Sequence, residues 1–196
     1  MSLANAVVGD PAVEEILARG IPSTYRAAYV ERDDAARLWD KPDKDVRETL
    51  KVGAVPMPEL APDEALVAVM AGAMNYNTVW SARFEPVPTF VFLNHLAKSG
   101  GWNERHDQPF HVVGSDAAGV VVAVGSGVLD HAVGDRVVVF PGWFDAAKVV
   151  SVEDAVMGSQ SLAWGYETNY GGLADFAIVK GTQLMPKPRH LSWEEA

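Results

Sequence analysis

The feature that most constrains the fold is a pair of valine-rich runs bounded by glycines. The first run occupies Gly114–Gly125, and the second begins at Gly134-Asp135-Arg136 and continues to Phe140. Valine packs well on a pleated surface, and glycine allows tight turns and the close approach of another segment. The pattern therefore predicts two apolar strands, at 119–124 and 136–140, separated by a short loop.

Turn residues separate several further segments that have strand or helix character. We predict strands at 24–30, 65–70, 174–180 and 183–185. We also predict helices at 10–20, with Asp10 as the N-cap and Gly20 as the stop, at 33–40, and at 90–98 inside a long connection that spans 81–113. Many short strands with Gly and Pro turns indicate a mainly β fold with short helices, arranged as a partly open barrel.

Composition excludes several function classes. The 196-residue chain has a net charge of −10, which argues against nucleic-acid binding because that function needs a basic face. It has no cysteine, which excludes disulfides, thiolate catalysis and cysteine-ligated zinc. The sequence shows no signal peptide and no apolar run long enough to span a membrane, so we expect a cytoplasmic protein without a membrane partner.

Two polar and aromatic clusters are candidates for chemistry. The first, Asn75-Tyr76-Asn77, follows the strand predicted at 65–70, and the simple interpretation is that its asparagines cap a helix. The second, Trp164–Asn169, places two aromatic residues around Glu167, and its simple interpretation is a turn with a solvated carboxylate. The five histidines are scattered along the chain and are interpreted as surface or structural residues.

The glycine patterns resemble the GroES-like catalytic domain of the medium-chain dehydrogenase/reductase superfamily. Its zinc-dependent members carry a histidine and a glutamate at the positions of Ser115 and Asp116, and a cysteine at the position of Asn75. Gly171–Ala177 resembles the superfamily's G-G-x-A-E-Y pattern, which leads into a strand beside the active site. The resemblance, with these replacements, implies a site without metal.

A more specific combination of segments resembles the crotonyl-CoA carboxylase/reductase family. It comprises residues 74–80, 84–90, 106–107, 111–116 and 164–169. The family reduces an α,β-unsaturated acyl-CoA with NADPH and traps the resulting nucleophile with CO2. The resemblance implies that Asn77, Glu167 and the backbone beside Tyr166 bind and position CO2. It implies that Tyr76 and Asn75 lie on the nicotinamide side of the cleft. The partners it implies are an acyl-CoA and CO2, in an intact enzyme that is a homo-oligomer, either a dimer or a tetramer.

A reactive carbon nucleophile must be shielded from water, since a proton would quench it. The aromatic side chains of Trp80, Phe84, Trp164 and Tyr166 are candidates for a dry wall around the site. The alternative interpretation is that these four residues belong to the core.

The chain divides into three predicted parts. Residues 1–23 form an amino-terminal helical extension, and residues 24–190 form the GroES-like domain with an insertion at 81–113. Residues 191–196 begin a cofactor-binding domain, with Ser192 as a helix N-cap. No G-x-G-x-x-G turn follows a strand, so the Rossmann domain is expected to lie outside this chain, and the chain alone is expected to be inactive.

Two other functions remain open at this point. One is a zinc-free enoyl-thioester or quinone reductase that does not carboxylate, and the other is a non-catalytic GroES-like binding module. The pairing of Asn77 with Glu167 and the long insertion favour the carboxylase. Butenyl thioesters and longer acyl chains both fit the sequence.

Overall fold

The computed structural model describes residues 11–144 and 161–196, which form antiparallel sheets flanked by short helices. The strands in these residues are β1 (Thr24–Glu31), β2 (Lys51–Pro56), β3 (Glu64–Ala71), β4 (Phe110–Val112), β5 (Ala118–Val124), β6 (Arg136–Val139), β7 (Gly142–Trp143), β8 (Leu162–Ala163), β9 (Phe176–Lys180) and β10 (Leu184–Pro186). The α-helices are α1 (Pro11–Ala18), α2 (Arg32–Leu38), α3 (Val46–Thr49), α4 (Tyr76–Arg83) and α5 (Phe90–Ala97). Two 3-10 helices cover Gly101–His106 and Gly181–Gln183.

The strands form one sheet of three, one of five and a small two-stranded ribbon. The orders are β2-β1-β4, β10-β6-β5-β3-β9 and β7-β8, and every pairing is antiparallel. A bridge between Ala27 and Ala174 links the two larger sheets. In the described part of the chain the five-stranded sheet ends at β10 and β9 without closing, so the predicted mainly β, partly open architecture is confirmed.

The two valine-rich runs are β5 and β6, which lie at the predicted positions and pair with each other. β5 also pairs with β3, whose first five residues are buried. A Cβ atom on Gly119 would lie 2.2 Å from the carbonyl oxygen of Ala68, so only glycine allows these two strands to approach this closely. The glycine that interrupts the run thus lets β5 occupy the centre of the sheet.

The largest core cluster packs on the inner face of the five-stranded sheet. Trp164 is fully buried in it, and its indole Nε1 donates a hydrogen bond to the carbonyl of Ile178 at 2.9 Å. A second cluster, which includes Phe84, Phe90 and Leu93, packs the helices of the 81–113 segment against β1 and Val113. The functional segments described below are therefore fixed on both sides by packed side chains.

Most predicted elements are present within one or two residues. α1, α2, α5 and the strands β1, β3, β5, β6, β9 and β10 all match predictions. The backbone amide of Glu195 donates to Ser192 Oγ, and the Ser192 amide donates to Glu195 Oε2, so the predicted capping bonds are present, but residues 193–195 form a turn and not a helix. The proposed N-cap Asp10 lies outside the described residues, and the division of the chain into three parts stays a prediction.

Two parts of the sequence interpretation were incomplete. β2, which pairs with β1 over six residue pairs, was missed because Gly53 interrupts its short apolar pattern and Pro56 ends it. The long connection at 81–113 is more regular than predicted. It holds the end of α4, all of α5, a 3-10 helix and β4, and it packs against the rest of the domain.

Candidate active site

The first half of the candidate site is the amino-terminal end of α4. Asn75 is its N-cap, and its side-chain oxygen accepts a hydrogen bond from the amide of Thr78 at 3.3 Å. The capping interpretation of Asn75 is therefore confirmed. The Asn75 side-chain nitrogen also donates to Asp116 Oδ2 at 2.5 Å, which joins the helix start to the segment before β5.

Asn77 points to the same segment but does not cap the helix. Its Nδ2 donates to Ser115 Oγ at 3.2 Å, and Ser115 is fully buried. This bond uses one of the two N–H groups of the Asn77 amide. In the part of the chain that the structure describes, Asn77 Oδ1 accepts no hydrogen bond. The half-buried Asn77 thus has unused hydrogen-bonding capacity.

The second half of the site is the turn at 163–170, and Gly114 connects it to the first. The amide of Gly172 donates to the carbonyl of Gly114 at 2.8 Å, and the amide of Leu173 donates to Val113. A Cβ atom on Gly165 would lie only 1.9 Å from the Gly114 oxygen. The Gly114–Asp116 segment therefore contacts the turn through its backbone and α4 through its side chains.

Glu167 and Tyr166 both help to hold this turn in place. The amide of Ala163 donates to Glu167 Oε2 at 2.7 Å, so the half-buried carboxylate is not simply solvated. The Tyr166 hydroxyl donates to the carbonyl of Glu85 at 3.0 Å. Burial is the main cause that raises the pKa of Tyr166, and the nearby Glu167 carboxylate raises it further, so the phenol is neutral at ordinary pH. The Tyr166 amide donates to the Ala163 carbonyl at 3.2 Å within the turn.

A row of aromatic rings joins the two halves. Trp80 lies three residues after Asn77 on α4, hence on the same face, and its ring centroid is 6.1 Å from that of Tyr166. Tyr166 also contacts Phe92 at 5.5 Å, and Trp80 contacts Tyr76 at 6.0 Å. Tyr76 is 77% exposed, Trp80 41% and Tyr166 7%, so the row runs from solvent into the domain.

Two of the four residues predicted to shield the site lie elsewhere. Phe84 is buried in the cluster with Val30 and Leu93, and Trp164 is buried in the core under the five-stranded sheet. The core interpretation is correct for both. Trp80 and Tyr166, in contrast, contact each other between α4 and the turn, so these two can line a cleft there.

Two buried residues for which the sequence predicted no specific contact, Asn169 and His111, anchor the turn to β4. The Asn169 side chain accepts from the amide of Val112 at 2.9 Å and donates to the carbonyl of Phe110. His111 is fully buried, with Nε2 3.2 Å from the carbonyl of Thr168 and Nδ1 2.8 Å from the Thr89 hydroxyl. These contacts span more than 20 residues, so no local pattern reveals them. The structural interpretation of His111 is confirmed.

These buried histidines predict a pH dependence of stability. Burial lowers the pKa of His111 to about 4. Burial is also the main cause for His106, and the positive charge of Arg105 adds to it, so that the pKa of His106 falls to about 3. Because the unfolded chain takes up these protons near pH 6.5 and the folded chain does not, stability is full above pH 6.5 and falls as the pH is lowered towards these values. We expect urea titrations to show a free energy of unfolding about 2 kcal/mol lower per histidine at pH 5 than at pH 7.5.

Variants test this assignment directly. His106→Leu should reduce the pH dependence between 7.5 and 5, whereas His95→Gln, at an exposed position of α5, should leave it unchanged. An unaltered pH dependence in His106→Leu would show that other groups cause it.

An open cleft lies next to the start of α4. It has a volume of about 530 Å³ and is lined by Met70–Ala73, Asp116–Ala118 and Trp193–Ala196, among others. Asp116 connects it to Asn75, and Tyr76 presents an exposed ring nearby in sequence. A flat exposed ring and an amide are groups that suit a nicotinamide. Tyr76 and Asn75 do not line this cleft themselves, and their place on the nicotinamide side stays a prediction.

Two features are absent from the residues that the structure describes. Across residues 11–144 and 161–196, no group of three or more His, Cys, Asp or Glu side chains could hold a metal ion. In the same residues no helix has both the length and the apolar character of a membrane span.

Comparisons with known proteins identify the domain. Residues 61–189, more than half of the chain, match the family model described as the alcohol dehydrogenase GroES-like domain. The chain is 44% identical to a crotonyl-CoA reductase of Streptomyces collinus, over 95% of this chain and 42% of that protein. It is 37% identical to a crotonyl-CoA carboxylase/reductase of Cereibacter sphaeroides, over 76% of this chain and 32% of that protein.

A solved structure agrees with these relatives. The structure of the 2-octenoyl-CoA carboxylase reductase CinF, in complex with NADP and 2-octenoyl-CoA, superimposes with a TM-score of 0.87. CinF comes from a Streptomyces species and is 52% identical to this chain. The match covers 98% of this chain and 43% of CinF. The chain thus spans about two fifths of the relatives it matches, and the predicted resemblance is confirmed.

Proposed function

Because the chain belongs to the alcohol dehydrogenase GroES-like domain family, we propose that it supplies the CO2-facing half of an NADPH-dependent reductive carboxylase. The substrate is an α,β-unsaturated acyl-CoA, either crotonyl-CoA or a longer analogue. A cofactor-binding domain of the same polypeptide completes this intact enzyme, as the length of the relatives suggests. Crotonyl-CoA, CO2 and NADPH then give ethylmalonyl-CoA and NADP+.

The observation that carries the proposal is the contact between α4 and the turn at 163–170. Ser115 accepts a hydrogen bond from Asn77, Gly114 accepts one from Gly172, and Trp80 packs on Tyr166. These contacts support a single cleft to which Asn77 and Glu167 both belong. The names of the relatives support an acyl-CoA substrate and NADPH for this cleft.

The proposed reaction gives each of these residues a specific role. NADPH supplies the hydride that adds to the β-carbon, which leaves negative charge at the α-carbon and the thioester oxygen. CO2 carries partly negative oxygens, so the free N–H of Asn77 can hold one end of it without a cation. Glu167, whose Oε1 accepts no hydrogen bond within the described residues, can hold a water at the other end. Trp80 and Tyr166 exclude bulk water.

No zinc is required in this proposal. Asn75 and Ser115 occupy positions at which zinc-dependent relatives carry ligands, and both are already engaged as hydrogen-bonding partners of Thr78, Asp116 and Asn77. Asn75 and Ser115 therefore serve as a scaffold, because these bonds hold the start of α4 and the Gly114–Asp116 segment together. Hydrogen bonds stabilise the negative charge that develops on the substrate.

A second candidate is reduction without carboxylation. It is favoured by the name of the Streptomyces collinus relative, which is called a crotonyl-CoA reductase. In that case Asn77 and Glu167 would serve only the packing of α4 and the turn, and added CO2 would not change the reaction.

The rate of NADPH oxidation separates the two candidates. With crotonyl-CoA or 2-octenoyl-CoA, the intact enzyme is expected to oxidise NADPH several-fold faster when bicarbonate and carbonic anhydrase supply CO2. A rate that does not respond to bicarbonate at any substrate concentration supports the plain reductase.

A further inference from the structure

We propose that Ser115 is the positioning residue that holds the Asn77 amide in place for CO2, and that it thereby sets how much of the substrate is carboxylated. The inference rests on the function proposed above and assigns a task to a residue outside the predicted site. Ser115 does not touch CO2 in this account, because it is fully buried behind Asn77.

The first argument concerns the freedom of the Asn77 side chain. An asparagine in the first turn of a helix has two rotatable side-chain bonds, and its amide turns easily when nothing holds it. In the described residues the hydrogen bond from Nδ2 to Ser115 Oγ is the one that holds it. A donor aids a reaction only if it is already aimed at the place where charge develops. The bond to Ser115 supplies this aim.

The second argument concerns the rigidity of Ser115 itself. Its neighbour Gly114 has φ +109° and accepts a backbone hydrogen bond from Gly172, while its other neighbour Asp116 accepts from Asn75. A Cβ atom on Gly114 would lie 2.5 Å from the amide nitrogen of Leu173, so the backbone here has little room to move. The Ser115 hydroxyl is therefore held in one place, and its hydrogen bond fixes the position of the Asn77 amide.

The third argument concerns the rest of α4, which has its own anchors. Thr49 donates to the carbonyl of Ala82 at 2.5 Å and thus fixes the far end of the helix, and Asn75 caps the near end. The helix does not need the bond between Asn77 and Ser115 to stay in place. A change at Ser115 should consequently affect the Asn77 amide more than the helix.

The test compares Ser115→Ala with the wild type in the intact enzyme, using crotonyl-CoA, NADPH and bicarbonate. We expect the KM for CO2 to rise about five-fold and the carboxylated fraction to fall at limiting CO2, the effect of losing one hydrogen bond of ordinary strength. The kcat and KM for reduction without CO2 should stay within two-fold of the wild type. Ser115→Thr, which keeps the hydroxyl, should restore most of the affinity for CO2.

Two further variants separate positioning from general loosening. Thr49→Val removes the buried hydroxyl that binds the carbonyl of Ala82 at the far end of α4, and it should leave the KM for CO2 unchanged. In a double-mutant cycle, Ser115→Ala should add nothing to the CO2 defect of Asn77→Leu, because both act through the same amide.

Several results would overturn the inference. An unchanged KM for CO2 in Ser115→Ala, an equal rise in Thr49→Val, or independent effects in the double variant would each contradict positioning. A rise confined to the KM for the acyl-CoA would assign Ser115 to the substrate instead. If the wild type forms no carboxylated product, the proposed function fails and this inference fails with it.

Discussion

Replacing Asn77 with leucine is expected to turn the intact enzyme from a carboxylase into a predominantly simple reductase. Leucine has the same number of side-chain heavy atoms as asparagine, branched at the same position, but no N–H to hold CO2. We expect the ratio of carboxylated to reduced product to fall at least about ten-fold. Removing a donor from a full oxyanion typically costs more than 100-fold, and CO2 carries only partial charges, so a smaller effect is reasonable. Chromatography of the acyl-CoA products measures the ratio.

The control for this change is another half-buried asparagine. Asn94 on α5 donates its side-chain nitrogen to Asp107 at 3.2 Å, away from the site, and Asn94→Leu should leave the product ratio unchanged. In Asn77→Leu the buried Ser115 hydroxyl loses its partner, so a loss of about 1–2 kcal/mol in the free energy of unfolding is also expected. An unchanged product ratio in Asn77→Leu would remove this residue from the site.

Replacing Gly165 with alanine is expected to destabilise the domain by more than about 3 kcal/mol. Gly165 has φ +68°, and a Cβ atom there would lie 1.9 Å from the Gly114 carbonyl oxygen. The colliding atom belongs to the backbone, so no change of rotamer relieves it, and the turn must move away from Gly114. Urea unfolding followed by the fluorescence of buried tryptophans such as Trp164 measures the loss.

Gly20 separates the collision from the backbone conformation. Its φ is +69°, almost the value at Gly165, but a Cβ atom there would meet nothing within 4 Å. Gly20→Ala should therefore cost only about 1 kcal/mol, the ordinary cost of a left-handed alanine. If the two variants lose the same stability, the contact between Gly165 and Gly114 does not hold the turn in place.

The sequence predicts the parts of this fold that depend on local patterns. β5 and β6 are valine-rich and bounded by glycines, so their positions follow from the sequence. Asn75 and Ser192 cap helical turns through bonds to residues three positions away, and such short-range signals are readable. The family resemblance came from the same kind of evidence, because it depended on short segments with fixed residue types.

Other features depend on residues that are distant in the chain. The bond between Asn77 and Ser115 spans 38 residues and that between His111 and Thr168 spans 57, so neither can be read from spacing. The same limit explains why the sequence left two interpretations open for Phe84 and Trp164. An aromatic residue next to a functional motif can face the core or the cleft, and only the packing of the sheets decides which.

The measurement that tests the central claim most directly is the identity of the product formed with isotopically labelled bicarbonate. The intact enzyme is incubated with NADPH, carbonic anhydrase and crotonyl-CoA or 2-octenoyl-CoA, and the acyl-CoA products are analysed by mass spectrometry. The account predicts a carboxylated product, ethylmalonyl-CoA from crotonyl-CoA, that carries one labelled carbon from bicarbonate. Unlabelled saturated acyl-CoA as the sole product under saturating bicarbonate would contradict it.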